Sequence, residues 1–266
     1  MIELLGIIME DQPIKFEKRG SVALLTLNRP RVLNAINDPM IDALLDRFEE
    51  IENTDELGAA VIEGTGKIFC SGHDLKELMA ANPLQRRTLL TKSIKVWEEI
   101  VKMSKPVIAA VHSYATAAGC GLVAACDLVV ASEDAVFQTP GVNIGIFCMT
   151  PMIPLQRAIG QKKAMEMLIT GDPINVKEAE RFGLVNKIVP NGKHVEGAIE
   201  FAEKITGKSR LAYNIGKPAF YTMGEMEYVK ALHYAKDLFT LASTSEDTEE
   251  GMKAVLEKRS PIWKSR

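Results

Sequence analysis

Short apolar runs recur along the first 190 residues of the chain and predict its strands. Residues 14–20 and 22–30 predict a hairpin that turns at Gly20 and Ser21. Three further runs are apolar over most of their length, as strands covered on both faces of a sheet are. These runs are residues 58–64, 106–114 and 126–132. Because segments of helical periodicity separate them, the pattern favours an α/β fold with largely parallel strand pairing.

Helical periodicity fills the intervals between the strands and takes over the C-terminal part of the chain. A helix is predicted after Asp38, the expected N-cap, with Pro39 at its first position. Residues 89–103 predict an amphipathic helix. After about Asn191 the strand pattern ends and four helical segments follow. They cover residues 194–206, 210–222, 227–243 and 246–259.

The last helices carry more apolar side chains than a solvated tail needs. These side chains include Phe220, Tyr221, Tyr228, Leu232, Phe239 and Leu241. Two explanations remain open, which are packing on the chain's own α/β part and burial in a subunit interface. The chain is therefore expected to divide into an α/β part, residues 1–190, and a helical part, residues 191–266.

Composition and charge exclude several classes of protein. Of the 266 residues, 47% are hydrophobic and 25% are charged, an ordinary balance for a globular protein with a large core. The net charge of -3 gives no reason to expect binding to nucleic acid or to an anionic membrane. No apolar run approaches the ~18 residues that span a bilayer, and the N-terminal apolar patch lacks the basic region of a signal peptide. A protein without membrane insertion is expected.

The four cysteines predict the compartment. Cys70, Cys120, Cys126 and Cys148 show no C-x-x-C spacing and lie in apolar segments. Reduced core thiols of this kind are typical of proteins in a reducing environment. A cytoplasmic location is expected on this ground.

Two segments are similar to catalytic motifs but lack an essential part of them. "AEKITGKS" (202–209) has Ala202 where a phosphate-binding loop needs its first glycine, and it follows a helical segment instead of a strand. "CSGHD" (70–74) combines cysteine, serine, histidine and aspartate, but neighbours on an extended segment point in different directions. Neither G-x-S-x-G nor H-E-x-x-H occurs. We therefore predict neither a catalytic triad nor a metal site.

Two strand-to-helix junctions have the composition of a ligand site. Residues 69–78 pass through Ser71 and Gly72 to a helix, and residues 111–122 pass through the small residues 117–119. Backbone N–H groups at a helix start lack partners, and the helix dipole is positive there. Two such junctions side by side would point two N–H donors at one carbonyl oxygen and form an oxyanion hole. Tight packing of helix against strand is the alternative explanation of the small residues.

Several segments of the chain resemble, in order, the enoyl-CoA hydratase/isomerase (crotonase) family. They are "LNRPRVLNAI" (27–36), "FCSGHDLKEL" (69–78), "KPVIAAVHSYATAAGCGLVAACDLVVAS" (105–132), F-x-T-P-x-V-x-x-G (137–145), "MEMLITGDPINVKEAERFGLVNKIV" (165–189) and "EGMKAVLEKRSPIW" (250–263). The resemblance covers nearly the whole chain from about residue 14. It implies a crotonase-like spiral of ββα units over residues 1–190, which would hold an acyl-CoA site. It also implies that residues 191–266 form a homotrimer, often a dimer of trimers, and complete the CoA pocket.

The resemblance further implies acyl-CoA thioesters as ligands, a place in lipid or carboxylic-acid metabolism, and no tightly bound cofactor. The backbone N–H groups of His73 and Ala118 would be the oxyanion donors. The adenine and pantetheine parts of CoA would lie along two segments, with lysines near the phosphates. These CoA-binding positions are Leu33 to Ala35, Ser71 to Leu75 with Asp74, Lys76, and Lys258 from a neighbouring subunit.

This chain departs from the family at two positions. Hydratases of the family use two glutamates, and Gly121 and Gly141 stand at those positions. Each acid or base of that kind typically contributes ~10²–10⁴-fold in rate, so a chain with neither should hydrate poorly. A backbone oxyanion hole survives the loss and would still assist a reaction through an enolate.

The resemblance thus predicts an enzyme of the lyase or isomerase type in which classical hydration is inefficient. The side chains that remain as candidates for proton transfer are His73, Thr116, Thr139, Asn143 and Cys148. The alternative is a protein that binds acyl-CoA, or acts as a scaffold, without transforming it.

Overall fold

A computed structural model describes residues 12–265, and the strands in that range form two sheets. The strands are β1 (Ile14–Arg19), β2 (Val22–Leu27), β3 (Ala59–Gly64), β4 (Val107–Val111), β5 (Tyr114–Thr116), β6 (Leu128–Ser132), β7 (Val136–Gln138), β8 (Ile174–Asn175) and β9 (Lys187–Val189). The main sheet has the order β1-β2-β3-β4-β6-β9, and β5, β7 and β8 form the smaller one. In the main sheet β1 and β2 pair antiparallel and every other pair is parallel. The predicted α/β fold with largely parallel pairing is confirmed.

Helices connect the strands and then form the C-terminal part of the molecule. They are α1 (Asp38–Glu52), α2 (Leu75–Ala80), α3 (Pro83–Lys102), α4 (Ala118–Ala125), α5 (Met149–Ile159), α6 (Gln161–Thr170), α7 (Val176–Phe182), α8 (His194–Thr206), α9 (Arg210–Gly224), α10 (Tyr228–Ala242) and α11 (Glu246–Leu256). Two short 3₁₀ helices add Pro30–Val32 and Pro140–Ile144. None of the helices within residues 12–265 is long and apolar enough to cross a membrane.

The main sheet is covered on both faces, which explains why its central strands are apolar throughout. Alternate residues of β2, such as Leu24 and Leu25, point to opposite faces. Leu25 lies in one buried cluster with Phe48 of α1 and Ile100 of α3. Leu24 lies in a second cluster with Ala202 of α8. The first helix of the predicted helical part, α8, therefore packs on the sheet.

The predicted strand 106–114 is two strands in the structure. The first, β4, ends at Val111, and Ser113 has a left-handed φ of 49° that turns the chain before β5 begins at Tyr114. β5 belongs to the smaller sheet, where it pairs with β7. This break positions the strand-to-helix junction that precedes α4.

Two helix starts differ from their predicted positions. Asn37, and not Asp38, is the N-cap of α1, because its Oδ1 accepts from Met40 N at 3.2 Å. α3 begins at Pro83, six residues before the predicted start, where Asn82 and Gln85 form a reciprocal capping box. The first turns of α3 are largely exposed and polar, so apolar periodicity does not report them.

The predicted helices after Asn191 are confirmed as α8 to α11. A buried polar cluster holds α9 on the sheet. Lys217 Nζ lies 2.7 Å from Asp127 Oδ2, and Tyr221 donates to Asp127 Oδ1 at 2.8 Å. Asp127 also accepts from Val107 N at 2.7 Å, so one carboxylate links α9 to the start of β4.

The end of the chain is anchored by Asp247, a residue of α11 that is only 2% exposed. Asp247 accepts from Ser209 Oγ at 2.6 Å and from Lys264 N at 2.6 Å. By contrast, α10 has no buried residue and packs mainly beside α9. Tyr228 and Phe239 are each 74% exposed in the single chain. Packing on the chain's own α/β part therefore does not cover α10.

Candidate functional site

The two predicted junctions lie side by side. Residues 70–74 run as an extended segment between Ile36 and β5, with single β-bridges from His73 to Ile36 and from Cys70 to Ala115. Backbone hydrogen bonds hold both sides of the segment: Ile36 N donates to Gly72 O at 2.7 Å, and Thr116 N donates to Cys70 O at 2.9 Å. The segment that leads to α2 is thus brought against the start of α4.

The small residues at this contact are required by its tightness. A Cβ atom built on Gly119 would lie 2.5 Å from Cys70 O, and one built on Gly72 would lie 3.1 Å from Ala118 N. Gly72 also has a φ of +97°, which favours glycine. Ala117 has φ 49° and ψ −120°, an uncommon conformation for a residue with a side chain. Close packing of helix against strand therefore explains Gly72 and Gly119.

The backbone donors at the junction divide into satisfied and free groups. Ala117 N donates to Gln138 O at 2.9 Å, and Gly121 N donates to Ala117 O at 3.0 Å. Within residues 12–265 no acceptor is found for the N–H of His73 or of Ala118. For Ala118 the reason is its position in the first turn of α4, where N–H groups have no partner within the helix. Two free donors thus border the same contact between segments.

The side chain of His73 points into the protein. Its Nε2 lies 2.8 Å from the Oγ of Ser93, a residue of α3 that is 4% exposed. Burial lowers the pKa of His73 to about 4, because a charged imidazole is poorly solvated there. His73 is therefore neutral near pH 7.

The other members of "CSGHD" face separate partners. Cys70 Sγ donates to Asn34 O at 3.2 Å, and burial raises the pKa of Cys70 to about 12. Asp74 lies 3.1 Å from the guanidinium of Arg29. Because these groups diverge, they do not form a nucleophile cluster, as the sequence analysis concluded. Among the described residues, no group of three side chains that could ligate a metal ion occurs.

Asp74 organises the start of α2. It is the N-cap and accepts from Lys76 N at 3.1 Å and from Glu77 N at 3.4 Å. Burial alone would raise the pKa of Asp74, but the hydrogen bonds from Arg29 and from the backbone lower it below its usual value. The carboxylate therefore stays charged and fixes the loop that contains His73.

Most of the predicted CoA-binding positions cluster around this loop. Ser71 N donates to Leu33 O at 3.0 Å, which joins the two predicted segments. Leu33 and Leu75 are exposed, at 42% and 51%, whereas Ala35 is buried. Lys258 lies apart from them, in the turn after α11, and no hydrogen bond or ion pair links it to this cluster within the described residues of one chain.

Gly121 and Gly141 stand in filled space. A Cβ atom on Gly121 would lie 3.0 Å from Trp97 Cζ2 and 3.0 Å from Pro151 Cα. A Cβ atom on Gly141 would lie 2.3 Å from Ile146 O and 2.7 Å from Cys148 Sγ. Neither glycine has a positive φ, so space and not backbone conformation limits the side chain: a Cβ atom would clash at Gly141 and would be tight at Gly121.

The remaining candidates for proton transfer are weak acids or bases. Thr116 Oγ1 donates to Ser71 O at 3.0 Å, and Asn143 is exposed. Burial raises the pKa of Cys148, so its thiol stays protonated near neutral pH. Thr139 is fully buried, and its Oγ1 has no hydrogen-bond partner. None of these groups is a strong base near pH 7.

Sequence reasoning missed two residues of the site, Ser93 and Trp97. Both lie on the buried face of α3, where Ser93 bonds to His73 and Trp97 contacts the position of Gly121. A serine on the apolar stripe that Leu89, Val96 and Ile100 define was the available signal. Its partner is 20 residues away in the chain, so the pairing was not predictable from spacing.

Comparison with known proteins identifies related chains over almost the full length. The enoyl-CoA hydratase/isomerase family model matches residues 17–266. The rat "Enoyl-CoA hydratase domain-containing protein 3, mitochondrial" is 39% identical over 250 residues, covering 92% of this chain and 82% of that protein. The human protein of the same name is 36% identical over 255 residues, covering 96% and 84%.

Solved structures with the same fold include two that match closely. An enoyl-CoA hydratase from Mycobacterium smegmatis superimposes with a TM-score of 0.92 at 38% identity, covering 94% of this chain and 98% of that chain. The structure of the human domain-containing protein 3 superimposes with a TM-score of 0.89 at 36% identity, covering 94% and 100%. The predicted crotonase-like fold with a helical C-terminal region is therefore confirmed.

The relatives correct one expectation from the sequence. The rat and human proteins, and a probable enoyl-CoA hydratase of Dictyostelium discoideum, are all named as mitochondrial. The cytoplasmic location that the cysteines predicted is therefore wrong, because buried reduced thiols indicate a reducing environment without naming the compartment. The fold, the matched length and the identity to these relatives lead to one conclusion: this chain belongs to the enoyl-CoA hydratase/isomerase family.

Proposed function

We propose that this protein binds acyl-CoA thioesters with the carbonyl oxygen accepting from the N–H groups of His73 and Ala118. The observation that carries the proposal is that both donors are free and border one contact between two chain segments. Donors fixed in the backbone need no rearrangement to stabilise an oxyanion, and such a hole commonly lowers a barrier by several kcal/mol. Gly72 supports this role because a side chain there would crowd Ala118 N.

The CoA part is proposed to lie on the exposed loops next to these donors. Leu33 and Leu75 offer apolar surface for the adenine and pantetheine, and Ala35, Ser71 and Asp74 form the backbone beneath them. Lys76 and Lys258 of a second subunit would approach the phosphates. The position of Lys258 away from the loop in a single chain supports a pocket that needs two subunits.

The reaction is proposed to pass through a thioester enolate without the acid and base of a hydratase. Gly121 and Gly141 carry no carboxylate; a Cβ atom would clash with Ile146 O at Gly141 and would need a small shift of its neighbours at Gly121. In the decarboxylation of an acyl-CoA with a carboxylate on its α-carbon, the electrons of the breaking C–C bond move to the thioester as CO₂ leaves, and the N–H groups stabilise the resulting oxyanion. Solvent then returns a proton to the α-carbon. Such a reaction does not require a strong base from the protein.

A non-catalytic acyl-CoA-binding or scaffold protein is the second candidate. It is favoured by the same two glycines, together with the low pKa of His73, which makes it a weak base, and the protonated thiol of Cys148. Both candidate functions require acyl-CoA binding, but only the enzyme would convert the thioester into a product.

The deciding experiment offers the purified protein a panel of acyl-CoA thioesters, measuring binding by calorimetry and product formation by mass spectrometry. Turnover of an α-carboxylated thioester with release of CO₂, together with crotonyl-CoA hydration far below ~10 s⁻¹, would support the enzyme. Saturable binding without any product would support the binding protein. Hydration of crotonyl-CoA at ~10 s⁻¹ or more would refute the argument from the missing carboxylates.

Self-association into a homotrimer or a dimer of trimers is part of the proposal. The exposed apolar residues of α10 support it, because a monomer rarely exposes such a contiguous apolar surface. Burial between subunits would cover that surface and bring Lys258 towards a neighbouring site.

A further inference from the structure

A groove beside the proposed thioester site lies between the N-terminal half of α3 and the start of α5. Its volume is about 460 Å³. On α3 its wall includes Ile94, which is three residues before Trp97; on α5 it includes Thr150, which directly precedes Pro151. Trp97 and Pro151 are the residues that contact the position of Gly121. The groove therefore starts next to the place where the reacting carbons of a bound thioester would lie.

The wall of the groove changes from apolar to cationic with distance from Gly121. Leu90 and Ile94 line the part near the site, and Arg86 and Arg87 line the outer part. Arg87 precedes Ile94 by seven residues, which is about 10 Å along the axis of α3 at about 1.5 Å per residue. The residues that line the groove include two guanidinium groups and no carboxylate.

The two arginines differ in how they are held. Arg86 Nε donates to Leu78 O at 2.7 Å and to Ala81 O at 3.0 Å, so it closes the corner between α2 and α3. Arg87 forms no ion pair and no side-chain hydrogen bond within residues 12–265. Its guanidinium is thus available to a ligand, and a guanidinium binds a carboxylate through two parallel hydrogen bonds.

We propose that the acyl group of the substrate is an ω-carboxyacyl chain, whose methylenes lie along Leu90 and Ile94 and whose terminal carboxylate pairs with Arg87. This inference rests on the proposed function, since it assumes that a thioester carbonyl binds at His73 and Ala118. An apolar wall followed by an unpaired cation matches a chain that is apolar along its length and anionic at its end. A plain fatty acyl chain would leave the guanidinium without a partner.

The test compares two thioesters of equal length, octanoyl-CoA and the corresponding ω-carboxy thioester, suberyl-CoA. Dissociation constants are measured by calorimetry for the native protein, for Arg87→Gln and for Lys102→Gln. Lys102→Gln removes the same charge from the same helix, about 22 Å from position 87 at about 1.5 Å per residue. Free CoA is the reference ligand for all three proteins.

The native protein should bind suberyl-CoA more tightly than octanoyl-CoA by about two- to fivefold, a range typical of an exposed ion pair. Arg87→Gln should bring the two constants together without changing that of octanoyl-CoA, and Lys102→Gln should keep the difference. Salt should reduce the preference because it screens the exposed pair.

Three results would overturn the inference. Equal binding of the two thioesters by the native protein would remove the preference itself. A loss of affinity in Arg87→Gln that is the same for both thioesters and for free CoA would assign Arg87 to the CoA phosphates. If neither thioester binds and free CoA does not bind either, the proposed function and this inference both fail. The first two results, by contrast, leave acyl-CoA binding intact and contradict only this inference.

Discussion

At the scale of single residues, four glycines determine how closely the segments of the candidate site pack. Gly72 and Gly119 allow two chain segments to approach each other, and Gly121 and Gly141 are enclosed by their neighbours. The sequence predicted the first pair from composition alone. It did not predict the crowding at the second pair, because Pro151 reaches Gly121 only through the fold and Ile146 reaches Gly141 through a local turn that hydrophobic pattern does not reveal.

The first prediction tests the backbone donors. Ala118→Pro removes one N–H at the first position of α4, where proline is otherwise tolerated, and should weaken acyl-CoA binding by tenfold or more. Ala118→Gly keeps the N–H and should bind within a few-fold of the native protein. His73→Ala also keeps its N–H, and its affinity should stay within about tenfold, roughly 1.4 kcal/mol.

Calorimetric titration with one acyl-CoA, alongside circular dichroism to verify folding, checks these values. A folded Ala118→Pro protein with native affinity would exclude Ala118 as a donor.

The second prediction follows from the depressed pKa of His73. Between its ordinary value of 6.5 and the folded value of about 4, the unfolded chain binds a proton that the folded chain does not. Stability should therefore fall as pH drops through this window, by up to about 3 kcal/mol for this one group. His73→Gln should flatten that part of the curve.

Urea unfolding at intervals between pH 4 and pH 7 measures the slope for both proteins. His233→Gln, at an exposed position on α10, is the matched control and should leave the slope unchanged. If stability depends on pH equally steeply in the native protein and in His73→Gln, the pKa of His73 is not lowered by folding.

The third prediction concerns Gly141. Gly141→Ala places a Cβ atom 2.3 Å from Ile146 O, so the backbone must shift, and stability should fall by about 1–3 kcal/mol. Gly216→Ala is the control: it lies inside α9 with no atom within 4 Å of the new Cβ, and it should stabilise by roughly 0.5–1 kcal/mol. Chemical denaturation of the two variants gives both values.

A stable Gly141→Ala protein would mean that the segment at Ile146 yields easily. In that case crowding by Ile146 O would not explain why glycine stands at position 141.

At the scale of secondary-structure elements, hydrophobic periodicity predicted the buried strands and the amphipathic helices. It did not predict where helices begin, because N-caps and exposed polar turns set those positions. The apolar runs of β2, β3 and β4 and the amphipathic C-terminal helices are where they were expected. The first turns of α3 were missed because they are polar and solvent-facing. The break at Ser113 was missed because a left-handed φ at a serine leaves no mark on hydrophobic pattern.

The fourth prediction belongs to α10. Tyr228, Leu232 and Phe239 follow each other at helical spacing on one exposed face, 74%, 53% and 74% exposed. If this face is a subunit interface, a charge in it should be costly to bury, and Phe239→Asp should lower the oligomeric state without unfolding the subunit. Lys230→Asp adds the same group on the opposite side of α10 and should leave the assembly intact.

Light scattering provides the masses. The native protein and Lys230→Asp should have about three or six times the chain mass of 29.3 kDa. A native protein that is monomeric at micromolar concentration would exclude the interface and the shared CoA pocket with Lys258.

At the scale of the whole molecule, the chain has the fold of the enoyl-CoA hydratase/isomerase family over nearly its full length. Asp127 joins α9 to the sheet, Asp247 joins α11 to the start of α9 and to the end of the chain, and α10 has no buried residue. The fold was predictable from the sequence because its strands and helices follow general patterns. The surroundings of the candidate site were not predictable, because α3, α5 and the segment of residues 70–74 meet there only in the fold.

The four cysteines have a practical consequence for chemical labelling. All four are buried as free thiols, and burial raises the pKa of each, to about 12 for Cys70 and Cys120. Since the thiolate is the reactive species, maleimide and iodoacetamide dyes should leave the native chain unmodified. A single cysteine introduced at an exposed position of α10 would then be the only labelled residue, and no native cysteine would have to be replaced. Energy transfer between chains labelled in this way would report the separation of α10 helices in solution.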